Sequence, residues 1–214
     1  MLPRRRFRHA MFLALGLHYS PALAASTGFD CGRAEGEVPR LVCQDPRLAE
    51  LDHELARLFR LAGTDQHGTG SDPAALAAGE RGWIEGRDAC RKTDDVRACV
   101  VASYAERIAE LRRSYAGARS QDDRGISLGP FVVRCDGLDA PLGATFVNGG
   151  EEPALAYLVG LEPALIVSQA PSGSGARYTG RYGAGTATFW NKGREALLEL
   201  PGRPAHQCRI GESS

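Results

Sequence analysis

Residues 116–129, Ala-Gly-Ala-Arg-Ser-Gln-Asp-Asp-Arg-Gly-Ile-Ser-Leu-Gly, divide the chain into two parts with different hydrophobic periodicity. This stretch is rich in glycine, serine and charged residues and has no regular apolar spacing, which is typical of a linker. On its N-terminal side the apolar residues recur every three to four positions, and on its C-terminal side every second position. The sequence therefore predicts a helical domain over 29–115, a linker over 116–129 and a β domain over 130–210.

The N-terminal part predicts three amphipathic helices. Asp45 and Pro46 are typical of a helix start, and leucines then recur at helical spacing until Gly63. A second helix is predicted from about residue 73 to 89, although its three glycines weaken it. A third begins near Asp94 and Asp95, because acidic residues suit the positive end of a helix, and continues to Tyr115. We expect these helices to form a small bundle.

The C-terminal part predicts an antiparallel β domain of about 85 residues. Short alternating runs are separated by Gly, Pro or Asn, as expected for strands joined by tight turns. Many short strands at regular spacing indicate a small barrel or a sandwich. The fold class predicted for the whole chain is therefore α+β. The runs are 131–135, 143–147, 154–159, 164–168, 176–179, 186–190 and 196–200.

Six cysteines lie beyond residue 24, and an even number in an exported chain favours disulfides. Sequence alone permits fifteen pairings. In the helical part we expect cysteines that are close in sequence to pair. Two of them flank the approach to the first helix, and two flank the turn between the second and third helices. The last two lie near the start and the end of the β domain and are free to bridge its edges. The six are Cys31, Cys43, Cys90, Cys99, Cys135 and Cys208.

The first 24 residues are typical of a secretory signal peptide, with a basic start, a short apolar core and Ala-Leu-Ala before the expected cleavage after Ala24. The apolar run is too short to span a membrane. No cysteine follows the cleavage position directly, so we expect neither a membrane span nor a lipid anchor. The remaining chain has 22 basic and 26 acidic residues, a net charge of −4, which disfavours nucleic acid and favours a basic partner. We predict a periplasmic or secreted protein.

Two stretches of the β domain are candidates for function: residues 172–178, Ser-Gly-Ser-Gly-Ala-Arg-Tyr, and residues 189–196, Phe-Trp-Asn-Lys-Gly-Arg-Glu-Ala. Each could simply be a turn. Ser174 and Lys192 could form a nucleophile and base, but no nucleophile elbow or orienting acid accompanies them, so we expect no enzyme. The alternative is recognition, in which small residues let the backbone enter a partner's cleft. Scattered histidines and the absence of a CxxC pair argue against a metal site, and no cofactor is expected.

The same two stretches, set between Cys135 and Cys208, resemble the paired signatures of the MliC/PliC family of bacterial inhibitors of c-type lysozyme. The resemblance covers residues from about 130 to 210. It implies an eight-stranded antiparallel barrel, a disulfide between the two flanking cysteines, and c-type lysozyme as the partner. It also implies that the motif serine and lysine enter the lysozyme cleft. The lysozyme-binding residues expected on this basis are Ser174, Gly175, Ala176, Arg177, Tyr178, Lys192 and Gly193.

The helical part resembles the LprI N-terminal domain over about residues 29–112. The matching stretches include Phe29-Asp30-Cys31, Asp45-Pro46-Arg47-Leu48 and Trp83-Ile84-Glu85-Gly86-Arg87-Asp88-Ala89-Cys90. This module occurs in exported proteins, and its namesake family is also linked to lysozyme inhibition. Most of the matching positions are equally consistent with a core and a disulfide framework.

One feature departs from the MliC pattern. Ser174 and Lys192 lie 18 positions apart, whereas the family places its motif serine and lysine about fourteen apart. If the additional residues lengthen a hairpin tip, both side chains keep their places. If they shift the strand register by an odd number, one motif faces inward and the inhibitor hypothesis fails. The alternative function is then a peptidoglycan- or envelope-protein-binding module without inhibitory activity.

Overall fold

The computed structural model of the chain describes residues 28–64, 72–119 and 124–213. The predicted signal peptide, residues 1–24, lies outside these ranges. Helices form the N-terminal half of the described chain and strands the C-terminal half, so the predicted α+β class is confirmed. The helices are α1 (Glu37–Gln44), α2 (Pro46–Gly63), α3 (Pro73–Asp88) and α4 (Val96–Ser114), with short 3₁₀ helices at Cys31–Arg33, Ala89–Lys92 and Gly117–Arg119.

Three of the helices begin with the same local interaction. The carboxylates of Asp45, Asp72 and Asp95 accept hydrogen bonds from the backbone N–H groups of the first turn of α2, α3 and α4. Such caps satisfy donors that have no partner within the helix. In α2 and α3 a proline follows the capping residue, at a position where its missing N–H costs nothing. The predicted helix starts are therefore confirmed.

Helix α1 was not predicted, so the described residues of the domain form four α-helices where the periodicity indicated three. Its eight residues bury Val38 and Val42, and Leu41 packs beside them. This i, i+3, i+4 spacing is helical, but the segment is only two turns long and contains Pro39, so the pattern was too short to be recognised. The helix packs on α2 at the start of a common core that is centred on the apolar side chains Leu48, Leu51, Leu58, Val100, Ile108 and Leu111.

Three disulfides join the six cysteines: Cys31–Cys43, Cys90–Cys99 and Cys135–Cys208. The first two close loops of 12 and 9 residues within the helical domain. The third spans 73 residues and links the first and last strands of the β domain. The expected pairing is confirmed at all three sites.

The β domain is a closed antiparallel barrel in which strands follow one another in chain order and β8 pairs with β1. Closure leaves no free sheet edge. Strand β8 is the one that alternation did not predict, because charged and polar residues outnumber its buried ones. The strands are β1 (Ser127–Cys135), β2 (Leu142–Val147), β3 (Leu155–Val159), β4 (Leu165–Ala170), β5 (Ala176–Tyr182), β6 (Gly185–Lys192), β7 (Glu195–Glu199) and β8 (His206–Ser213).

The interior of the barrel is filled by alternate residues of each strand. Fully buried side chains include Val133, Leu158, Leu165, Phe189 and Leu198. They come from β1, β3, β4, β6 and β7, so the core is apolar all the way round the barrel. The apolar residues that recur at every second position of the sequence are therefore the ones buried inside the barrel.

The two domains share a buried interface. Val147 and Leu155 of the barrel belong to the helical core rather than to the barrel interior. Arg112 of α4 is 1% exposed, and its guanidinium donates to the hydroxyl and carbonyl oxygens of Ser127 at the start of β1. Ala118, within the stretch predicted as a linker, is fully buried, and β1 begins at Ser127. The helical domain therefore packs directly on one wall of the barrel.

Candidate functional site

The two candidate stretches meet at one end of the barrel, which we call the rim. Residues 171–175, the serine loop, connect β4 to β5. The lysine turn consists of Lys192, the last residue of β6, and of Gly193 and Arg194, which lead into β7. Ala176 pairs with Asn191 in the β5–β6 ladder, so the serine loop leaves the sheet directly beside the lysine turn. Ser174 and Lys192, which are 18 positions apart in the sequence, thus become neighbours because β5 and β6 pair in this register.

Ser174 and Lys192 lie at the open end of one hairpin whose tip is at the opposite end of the barrel. The β5–β6 ladder is unbroken from Ala176↔Asn191 to Tyr182↔Gly185. The two strands are joined by Gly183 and Ala184, and Gly183 has a positive φ of 56°. No register shift therefore separates the two motifs within this ladder.

The backbone of the serine loop is fixed by side-chain donors. Trp190 Nε1 and Ser172 Oγ each donate to the Ser174 carbonyl oxygen at 2.8 Å. Gly175 has a φ of 66°, and a Cβ at this position would lie 2.4 Å from the Asn191 carbonyl oxygen. Glycine is therefore required where the loop returns to β5. The loop is small and exposed, yet its course is set by specific contacts.

The side chains of Ser174 and Lys192 are both exposed. Among residues 28–64, 72–119 and 124–213, no hydrogen bond or ion pair engages the Ser174 hydroxyl or the Lys192 ammonium. Lys192 is opposite Glu195 across the turn, but the neighbouring Arg194 is the residue that forms an ion pair, with Glu212 at 3.0 Å. Both motif groups are thus available to a partner.

The other predicted site residues divide between the surface and the core. Arg177 is exposed, Ala176 is half-buried, and Gly193 adopts a φ of 62° in the open lysine turn. Tyr178, in contrast, is 5% exposed and packs against Phe146 with ring centroids 5.7 Å apart. Burial raises the pKa of the Tyr178 hydroxyl. The Tyr178 ring therefore packs within the barrel, and a contact of Tyr178 with lysozyme stays a prediction.

Two contributions to the rim were not predicted. Ser172 was not predicted as a site residue, and its hydroxyl donates to the Ser174 carbonyl oxygen. Asn191, immediately before Lys192, has a buried side-chain oxygen without a hydrogen-bond partner among the described residues. The Ser172 contact spans only two residues, so the local tendency of serine to bond nearby backbone groups could have indicated it. The surroundings of Asn191 depend on the strand register, which no local spacing reveals. A groove of about 470 Å³ beside the loop is lined by Ser172, Ser174, Arg177, Thr188, Trp190 and Glu199.

A second concave site of about 470 Å³ lies in the helical domain, between α2, α3 and the segment before α1. Arg87 lies over the Trp83 ring at 5.2 Å and donates to the Tyr104 hydroxyl, which donates in turn to Asp52. Burial raises the pKa of Glu80 in its wall, although Arg107 pairs with it. This groove combines an apolar floor with buried charges.

Other kinds of site receive no support from the residues that the structure describes. They contain no cluster of three or more His, Cys, Asp or Glu side chains arranged to hold a metal ion. No helix among them combines the length and the apolar character needed to cross a bilayer.

The barrel and its rim define the class of protein. Residues 133–207 match the family described as membrane-bound lysozyme-inhibitor of c-type lysozyme, MliC. The match extends from β1 to β8 and includes both rim motifs.

The similarity extends beyond the barrel to nearly the whole chain. Lipoprotein LprI of Mycobacterium tuberculosis and of Mycobacterium bovis is 33% identical over 179 residues, which are 83% of this chain and 82% of those proteins. The chain belongs to the LprI family. No solved structure matches it.

Proposed function

We propose that this protein inhibits c-type lysozyme by inserting the serine loop and the lysine turn into the active-site cleft of the enzyme. The observation that carries the proposal is the meeting of Ser174 and Lys192 at one rim, exposed and without partners in the described chain, within a domain of the MliC family. The protein acts by occlusion and contributes no catalytic group of its own.

The charge of Lys192 suits the chemistry of the target. Lysozyme cleaves glycosidic bonds with two carboxyl groups, one protonated as the general acid and one ionised. A cation placed between them pairs with the ionised group and lowers the pKa of the acid, which then loses the proton that it must donate. One pair at 4 Å is worth about 4 kcal/mol at an effective dielectric of 20, and desolvation reduces the net gain.

The serine loop contributes shape and a hydrogen bond. Its residues are small, and a Cβ at Gly173 would meet nothing within 4 Å, so this part of the loop projects from the barrel. The Trp190 and Ser172 donors hold the Ser174 carbonyl, so little conformational entropy remains to be lost on binding. The free Ser174 hydroxyl can donate to either carboxylate of the enzyme.

The envelope is the proposed location. The predicted signal peptide and the three disulfides favour an oxidising compartment outside the cytoplasm. The family description includes the word membrane-bound, and the relatives are named lipoproteins. We propose a periplasmic or secreted inhibitor that protects peptidoglycan, with no cofactor.

The direct test is the residual activity of a c-type lysozyme on bacterial cell walls, titrated with the mature protein. Inhibition that saturates at a fixed stoichiometry is the expected result. The alternative, a peptidoglycan- or envelope-protein-binding module, gains support from the helical-domain groove with Trp83 and Arg87. Sedimentation of the protein with purified peptidoglycan, together with no effect on lysozyme, would replace the proposal with this alternative.

A further inference from the structure

The rim has a third element, which is held from outside the barrel. Residues 148–154, the rim loop, connect β2 to β3 at the same end as the serine loop. Glu152 and Pro153 of the rim loop and Ser172 and Gly175 of the serine loop line a common cavity of about 440 Å³. The Gln169 N–H of β4, two residues before the serine loop, donates to the Ala154 carbonyl at the end of the rim loop at 2.7 Å. The two loops therefore leave the sheet side by side and border the same cavity.

Arg47 of α2 holds the rim loop. Its guanidinium donates to the carbonyl oxygens of Asn148 and Gly149 at 3.1 Å each, and to that of Val147 at 3.3 Å. Arg47 is itself only 3% exposed, so its guanidinium is held within the structure and not free in solvent. Three hydrogen bonds from one planar group fix consecutive peptide units.

Two further contacts from the helices reach the same loop. Gly150 has a φ of 53°, and a Cβ there would lie 2.6 Å from the Glu50 carboxylate, one turn along α2 from Arg47. Arg97 of α4 pairs with Glu152, while Asp45 holds the other side of its guanidinium at 2.6 Å. The rim loop thus takes its conformation from the helical domain as much as from the barrel.

We infer that Arg47 is a positioning residue for lysozyme inhibition: from the helical domain it holds the rim loop in the shape on which the serine loop rests when lysozyme is bound. This inference rests on the proposed function and deepens it, because it gives the helical domain a part in inhibition without contact between Arg47 and the enzyme. A loosened rim must be ordered on binding, and that ordering weakens the complex.

The test compares full-length variants with a matched control. Arg47→Ala removes the three hydrogen bonds, and Gly150→Ala disturbs the same loop without changing charge. Arg107→Ala is the control, since Arg107 is also 3% exposed and ion-paired, but its partners Glu80 and Glu110 lie within the helical domain. The readouts are the inhibition constant and the dissociation rate of the lysozyme complex, measured well below the melting temperature of every variant.

We expect Arg47→Ala and Gly150→Ala each to raise the inhibition constant roughly tenfold, mostly through faster dissociation. Arg107→Ala should stay within about twofold of the unaltered protein, and Arg47→Lys should fall between, because an ammonium cannot reach all three carbonyls in one plane. If Arg47→Ala does not fold, the Lys and Gly150 variants carry the test.

Two outcomes would overturn the inference. If the folded Arg47 and Gly150 variants inhibit lysozyme as strongly as the unaltered protein does, the rim loop is irrelevant to binding. An equal loss in Arg107→Ala would show that general destabilisation is responsible. Failure of the unaltered protein to inhibit lysozyme would instead refute the proposed function itself, so the two failures are distinguishable.

Discussion

The helical domain and the barrel are stabilised in different ways. All six buried charged side chains of the described chain lie in the helical domain: Arg47, Asp52, Glu54, Arg87, Arg107 and Arg112. The barrel buries only Ser127 and Thr145 among its polar residues, and otherwise encloses an apolar core. The barrel thus presents Lys192 at its rim without an internal network of charges. The helices, in contrast, depend on paired charges for their arrangement and for their attachment to the barrel.

The largest effect should follow from breaking that attachment. Arg112→Ala removes the buried guanidinium that pairs with Glu54 and donates to Ser127, and it leaves the Glu54 carboxylate with less compensation. We expect a loss of about 3–5 kcal/mol in the free energy of unfolding. Urea denaturation measures it, with the adjacent exposed Arg113→Ala as the control. Similar losses in both variants would contradict the role given to the buried network.

The disulfides sharpen the comparison between the domains. Chain-entropy reasoning assigns about 4 kcal/mol to the 73-residue loop closed by Cys135–Cys208 and about 2.5 kcal/mol to the 9-residue loop closed by Cys90–Cys99. Replacing each pair by alanines should therefore destabilise the protein more when the barrel bridge is lost. Equilibrium unfolding of the two double variants gives the difference. The reverse order would mean that native-state contacts outweigh loop length.

The smallest effect concerns pH. Burial alone would raise the pKa of Glu54, but hydrogen bonds from Arg57 and Ser127 and the charges of Arg57 and Arg112 outweigh it and lower the pKa below its usual 4.5. The unfolded chain then takes up the proton first as pH falls, so stability is retained above about pH 4.5 and lost below it. Glu54→Gln should flatten this loss in thermal melts recorded between pH 7 and 3. Parallel profiles for the two proteins would exclude Glu54 as the cause.

Sequence patterns predicted the parts that depend on local order. The helix starts at Asp45 and Asp95 can each be recognised from a few neighbouring residues. The same holds for the alternation of apolar and polar residues in the strands. Helix α1 is only eight residues long and contains Pro39, and strand β8 has too few apolar positions for a period of two to be recognised. The contacts of Arg47 with residues 147–149 connect positions about a hundred residues apart, and no pattern in one sequence reveals such pairing.

The site was predicted to a similar extent. The motifs identified Ser174 and Lys192, but their proximity depends on the β5–β6 register, and the donation from Trp190 to the Ser174 carbonyl is a consequence of that register. The motif also predicts Tyr178 as a binding residue, and the structure buries this side chain in the barrel. Whether any of these residues contacts lysozyme stays a prediction.

The central claim is that the exposed ammonium group of Lys192 at the rim is the cation that inhibits the enzyme. The chain has only two lysines, Lys92 and Lys192, so it provides its own matched control. Lys92 is also exposed, at the end of the 3₁₀ helix Ala89–Lys92 in the helical domain. Lys192→Ala and Lys92→Ala alter the net charge equally and differ only in where the charge is removed.

The most direct measurement is the inhibition constant of these two variants against a c-type lysozyme. For Lys192→Ala we expect a loss of about 2 kcal/mol or more in binding free energy, which is roughly a thirtyfold rise in the constant. Lys92→Ala should inhibit as the unaltered protein does. An unchanged constant for Lys192→Ala, in a protein that inhibits lysozyme, would contradict the account.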